Sequence, residues 1–264
     1  MTLVVRTKEL SAEDTGNNLI RALRPDDQAR LCELLEPWEG KAGQVLYEPG
    51  DVVGYAYFPC DRAMAAFRVV LADGRTVETA LIGREGAIGG IVSEGRLPAY
   101  ARAIVQFPGR FHRISSGALS RLKRASPSLN NLFARYADCL LAQIFQSTAC
   151  NATHSIEQRT AKWVLAAIDR TGDPYLSLTQ EQLAGLLGVG RSYVSRVIQR
   201  LKAEEVITTR RGRMSIADVG ALARLSCDCN ELVRHHFEEV LRGVYPSDDD
   251  VLAEPKMIVM PKSA

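Results

Sequence analysis

The stretch VGRSYVSRVIQRL at residues 189–201 sets three arginines, two serines and a glutamine among regularly spaced aliphatic residues. At 100° per residue, Val194, Val197, Ile198 and Leu201 share one arc of a helix. Arg191, Ser192, Ser195, Arg196 and Gln199 fill the opposite arc. Guanidinium, hydroxyl and amide groups on one face can form directed hydrogen bonds and attract anions. An ordinary solvated helix has the same composition, so the flanking residues must decide between the two.

Upstream, Thr179 with Gln182 three residues later is a capping-box start, Leu183, Leu186 and Leu187 form an apolar face, and Gly188 supplies a turn before a helix over 191–203. Downstream, VITTRRGRMSI reads as a two-strand hairpin around Arg211-Gly212. Helix, tight turn, helix and basic hairpin make a winged helix-turn-helix. Its second helix rests on the first and leaves its polar face free to enter a DNA major groove. Arginine can pair bidentately with guanine O6 and N7, and arginines on the wing can neutralise phosphates. The candidate DNA contacts are Thr179, Gln180, Arg191, Ser192, Tyr193, Ser195, Arg196, Gln199, Arg200, Arg210, Arg211 and Arg213. Residues 179–216 carry seven basic against three acidic side chains, a net of +4 in a chain whose total is +2, so a polyanion would bind here.

Other elements must position this head. Residues 17–36 read as short helices broken at Pro25. From Gly43 to about Ile114, ten glycines separate short runs rich in Val, Ile, Phe and Tyr, the pattern of an antiparallel barrel or jelly roll. Its clearest hairpin is FRVVLADGRTVETALIG, with Asp73-Gly74 as a two-residue turn. After Pro127 the period changes. Leu129, Phe133, Tyr136 and Leu140 follow a 4,3,4 spacing that Ile144 or Gln143 continues, predicting a long helix whose seam meets its own copy across a two-fold axis. A further helix over 156–170 ends at the turn TGDP.

The 264 residues, 46% hydrophobic and 24% charged, suffice for two folded domains. No apolar run reaches the length of a membrane span and the N-terminus lacks a signal-peptide core, so a cytoplasmic location without membrane contact is expected. Six scattered cysteines do not resemble a secreted disulfide framework. A jelly roll could also serve a cupin-like metal-dependent enzyme or sensor. Such a site needs several convergent histidines, and only His112 lies in the strand-rich region. His154 reads as a hydrogen-bonding group. Cys227-x-Cys229 followed by His235-His236 has metal-site residue types without a familiar spacing. The expectation is therefore no catalytic residues, no metal and no cofactor.

The order of barrel, long helix and winged helix-turn-helix resembles the Crp/Fnr superfamily of transcription regulators over roughly residues 17–242. The resemblance is carried by GREGAIGG at 83–90, ACNATHSIEQRTAKWVL at 149–165 and LTQEQLAGLLGVGRSYVSRVIQRLKAEEVI at 178–207. It implies a homodimer whose effector domain acts through the long helix on two DNA-reading heads at an inverted repeat, with RNA polymerase as a further partner. By the same resemblance Arg191 and Arg196 fall at guanine-contacting positions, and Ser195 at a reader position. Ser192 replaces a glutamate, which implies a different base preference. The effector pocket would fall at Gly89, Gly90, Ala99, Tyr100, Ile144 and Phe145. These lack the charged and ribose-binding groups of cyclic-AMP binders, so the effector is expected to be something else. The chain also lacks the four-cysteine set of the iron–sulfur branch.

The expected fold is α+β: an antiparallel jelly roll over 17–126, a dimerisation helix over 127–153, a winged helix-turn-helix over 154–242, and a disordered tail over 243–264.

Overall fold

A computed structural model describes residues 15–91, 98–210 and 212–241. The predicted tail at 243–264 lies outside the described residues. Two short helices, α1 (Asn18–Arg21) and α2 (Pro25–Cys32), precede seven strands: β1 (Glu36–Gly40), β2 (Val45–Tyr47), β3 (Tyr55–Pro59), β4 (Met64–Val70), β5 (Thr76–Ile82), β6 (Arg102–Phe107) and β7 (Gly109–Ser115). They pair antiparallel in two sheets, ordered β1-β7-β3 and β2-β6-β4-β5. Helix α3 (Ser116–Ala125) leads into the long helix α4 (Pro127–Thr153).

The period-2 alternation of strands sends successive side chains to opposite faces, and in β3 and the first half of β4 both faces are covered. In β3, Tyr57 packs inside the barrel, whereas Ala56 and Phe58 pack against α1, α3 and α4. In β4, Ala65 looks inward, while Met64 and Ala66 join the core of the C-terminal module. The β4–β5 hairpin corrects one expectation. Its loop has three residues, Ala72 to Gly74, because the Leu71 N–H donates to Arg75 O at 2.8 Å and the Gly74 N–H to Leu71 O at 2.9 Å. Gly74 takes φ +83°, the left-handed residue that closes such a loop.

The C-terminal module comprises α5 (Ile156–Thr171), β8 (Tyr175–Leu176), α6 (Gln180–Leu187), α7 (Arg191–Ala203), β9 (Ile207–Arg210), β10 (Arg213–Ile216), α8 (Val219–Leu225) and α9 (Cys229–Leu241). The last helix was not foreseen in the sequence. It runs antiparallel to α4, with Gln146 beside Cys229 at one end and Arg135 Nη1 donating to Val240 O at 3.2 Å at the other.

The seam predicted for dimerisation faces inward instead. Leu129, Phe133 and Tyr136 are fully buried within a single chain, and Leu140 packs partly against the same core. Tyr136 reaches furthest, donating its hydroxyl to Ala87 O at 3.1 Å. It fits because Gly86 has no side chain: a Cβ there would lie 2.0 Å from the Tyr136 oxygen. Thus the GREG turn and α4 are locked together by one aromatic residue and one glycine. A second stripe of α4 with the same heptad spacing, Ala134, Leu141, Phe145, Thr148 and Ala152, is exposed, with Ile144 on its flank.

Candidate nucleic-acid interface

Helix α6 begins with the expected reciprocal cap. Thr179 Oγ1 accepts from the Gln182 N–H at 3.1 Å, and Gln182 Oε1 accepts from the Thr179 N–H at 2.8 Å. It ends at Gly188 in the left-handed conformation, φ +66°, and Gly190 caps α7. Val194, Ile198 and Leu201 of α7 are completely buried in a core shared with Leu183, Leu186 and Leu187. That stripe fixes the rotation of α7 about its axis. Arg191, Ser192, Tyr193, Arg196, Gln199 and Arg200 are consequently exposed, and Ser195 is half-buried.

Neighbours preorganise several of these groups. The Arg196 guanidinium lies over the Tyr193 ring, 4.6 Å from its centroid, so Tyr193 serves as a platform for that arginine. Arg191 Nε lies 3.6 Å from Glu181, and both side chains are solvated. Arg200 is already engaged, contacting Glu157 on α5 at 2.9 Å and Glu204 at 2.8 Å. The Glu204 hydrogen bond first, and the charge of Glu157 next, raise its pKa above the ordinary arginine value. Its placement among direct readers is thereby weakened, since reading a base would require breaking a paired contact.

Across the wing, exposed Arg210 and Arg213 stand directly opposite each other in the β9–β10 register. Like charges at facing strand positions repel, and an approaching polyanion relieves that repulsion. A cleft between the α6 N-terminus, α7 and the wing is lined by Thr179, Gln180, Arg191, Arg210 and Arg213. Arg211 lies outside the described residues. Cations, amides and hydroxyls therefore share one solvent-facing surface.

The effector residues do not come together in this way. Gly89 and Gly90 are seated against Val53, Tyr55 and Ser116. Tyr100 is 86% exposed, and Ile144 and Phe145 face solvent from α4, Phe145 at 63%. Ala99 exchanges backbone hydrogen bonds with Gly50 and Asp51. Exposed side chains on the outer face of α4 do not enclose a ligand within one chain. The cupin-type reading loses its footing too. His112 is buried on β7 with burial, chiefly, lowering its pKa. Among the described residues, the group of three or more clustered metal-type ligands lies at the end of α4, not in the barrel.

What the sequence did not expose is the joint between the two modules. Trp163 of α5 donates from Nε1 to Glu78 Oε1 of β5 at 2.6 Å and meets Phe107 edge-on at 6.4 Å. Arg170 donates to Leu81 O at 3.2 Å and pairs with Glu85 at 3.1 Å. Trp163 and Arg170, on a helix that reads as amphipathic, are the residues in which the sequence carries a signal of this contact.

Residues 158–225 match the model of the Crp-like helix-turn-helix domain. A comparison with curated proteins finds no match. Among solved structures, FixK2 from Bradyrhizobium japonicum is similar with a TM-score of 0.62 at 14% identity, covering 73% of this chain and 98% of that one. The c-di-GMP-responsive global regulator CLP of Xanthomonas campestris gives 0.60 at 15%, covering 74% and 100%. A CRP/FNR-family transcriptional regulator from Thermus thermophilus gives 0.56 at 24%, covering 72% and 98%. No helix among the described residues is long and apolar enough to cross a membrane. Residues 158–225 thus match a Crp-like helix-turn-helix domain, within a chain whose fold is similar to that of the Crp/Fnr regulators.

Proposed function

We propose that the chain is a homodimeric transcription regulator that acts on cytoplasmic DNA by placing α7 of each copy in successive major grooves of an inverted-repeat operator. The observation that carries this reading is the division of α7 into a fully buried Val194–Ile198–Leu201 stripe and an exposed Arg/Ser/Tyr/Gln face. Arg191 and Arg196 are the base readers, Ser192 and Ser195 adjust the preference between them, and Arg210 and Arg213 hold phosphates. The second copy packs on the exposed α4 stripe of Leu141, Ile144 and Phe145, whose heptad spacing suits a two-fold helix pair. The chemistry is binding rather than catalysis, and the regulatory ligand is not a cyclic nucleotide.

Selection of bound sequences from a random pool tests this. The expected product is an inverted repeat with half-site centres about 34 Å apart, one turn of the duplex. Arg196→Ala should cost about 1–3 kcal/mol per half-site and flatten preference at one base pair. Recovery of no inverted repeat, or unchanged base preference in Arg196→Ala, contradicts α7 as the reading helix.

A further inference from the structure

Three buried cysteines form a cluster of their own, separate from the hydrophobic cores: Cys150, Cys227 and Cys229, at 0%, 7% and 2% exposure. With His154 they bring four ligand atoms within 4.8 Å of one another. Cys150 and His154 stand one turn apart at the end of α4, and the Cys150 carbonyl accepts the His154 backbone N–H at 3.0 Å. Cys227 follows α8 and Cys229 opens α9. The fourth donor is thus not one of the adjacent histidines suggested by the sequence; His235 is exposed on α9.

The distances match one small ion. Bonds of about 2.3 Å to sulfur and about 2.0 Å to nitrogen, at tetrahedral angles, give edges of about 3.8 Å between sulfurs and about 3.5 Å between sulfur and nitrogen. The Cys150 and Cys227 sulfurs are 3.7 Å apart, and Cys229 Sγ is 3.5 Å from His154 Nδ1. A polynuclear iron–sulfur cluster divides its thiolates between different irons and needs a wider set. A supporting contact is also present. Gln146 Nε2 donates to Cys229 Sγ at 3.1 Å, the kind of bond that stabilises a coordinated thiolate.

We propose that Cys150, His154, Cys227 and Cys229 form a tetrahedral zinc site that staples α9 to the junction between α4 and the DNA-binding module. Binding displaces three thiol protons and uses the lone pair of neutral His154 Nδ1. The ion ties together the last turn of α4, the α8–α9 turn and the start of α9. From there the Tyr136–Phe237 ring contact at 6.2 Å seats the rest of α9 along α4. The site is structural, since four protein donors leave no open position for substrate.

The test uses the full chain, produced with zinc supplied and purified reduced without chelator. Elemental analysis should find one zinc per chain. Replacement by Co²⁺ should give thiolate-to-cobalt charge-transfer absorption and strong visible bands of tetrahedral cobalt. Gln146→Leu should weaken zinc affinity by about 10-fold to 100-fold, Cys229→Ser and His154→Ala by more, and Cys60→Ser not at all. Hydrogen exchange over residues 226–241 should accelerate when zinc is removed. A folded, reduced wild-type chain with neither zinc nor a cobalt spectrum overturns the proposal, whatever the variants do. So does stoichiometric zinc in a folded Cys227→Ser/Cys229→Ser double variant, iron or copper in place of zinc, or a Cys150–Cys227 disulfide in the protein as it is isolated.

Discussion

The Arg196–Tyr193 stack, the paired Arg200 and the Glu78–Trp163 contact divide single residues into those a local pattern reveals and those it does not. The α7 face was legible because helical periodicity is a property of consecutive residues. The engagement of Arg200 was not, because Glu157 lies 43 positions away. Glu78 is a sharper case, since its partner is 85 positions away. Burial pushes its carboxyl up to about 7, against the opposing effects of the Trp163 N–H and of Arg68, Lys162 and Arg170. The folded chain therefore keeps this proton up to about pH 7, while the unfolded chain loses it near the ordinary 4.5. Between those values the folded state binds more protons, so this contribution to stability is full below 4.5 and is lost as pH rises to about 7. Glu78→Gln keeps the acceptor for Trp163 without the charge. It should raise the melting temperature over wild type at pH 8, by at most about 3 kcal/mol in stability, and change little at pH 4. Equal effects at both pH values in thermal melts would refute the assignment.

Helix α4 teaches a different lesson at the scale of elements. Its length, bounds and heptad spacing were legible, and its orientation was not. Leu129, Phe133 and Tyr136 form the more apolar seam, but that seam repacks against the barrel; Leu141 and Phe145 carry a second seam with the same spacing. Periodicity tells that a face is buried, not by what. The two faces must fail differently. Phe145→Asp should leave the fold intact and shift the oligomer toward monomer in sedimentation. Phe133→Asp puts an unpaired charge into the core beside Phe58, whose ring centroid is 6.3 Å away, and should cost on the order of 4 kcal/mol or more. Dissociation by Phe133→Asp with the melting temperature unchanged would restore the original seam. Gly86→Ala probes the same helix from the barrel side. The added methyl must displace Tyr136, so the variant should melt several degrees lower, and Gly86→Ala combined with Tyr136→Phe should recover part of the loss by removing the oxygen at the point of collision.

At the scale of the molecule, the jelly roll, long helix and winged head were legible as separate units, each with its own period and punctuation. How the units dock was not legible, because it depends on the outer faces of β4, β5 and β6. Met64, Ala66, Leu81, Ile104 and Phe107 of the sheet share one buried cluster with Trp163, Leu183 and Leu187 of the DNA-binding module. Strands buried on both faces lose the apolar–polar alternation that would have marked an outside, leaving no sequence sign of which neighbour covers it. A shared core has a thermodynamic consequence: neither module can expose its half without exposing the other's. The chain has two tryptophans, Trp38 on β1 and Trp163 on α5, one in each module. In Trp163→Phe the remaining Trp38 reports on the barrel alone, packed edge-on to Tyr57 and Phe111 at 5.1 and 5.5 Å. Far-ultraviolet circular dichroism of the same variant follows the helices, most of them outside the barrel. Phe at 163 keeps the ring against Phe107 while losing the bond to Glu78, so the joint is weakened but still apolar. Urea titrations of this variant should give coincident midpoints by the two probes, the signature of a single cooperative transition. A barrel midpoint clearly separated from the helical one would mean that the modules unfold independently and that the cluster between them contributes little to their coupling.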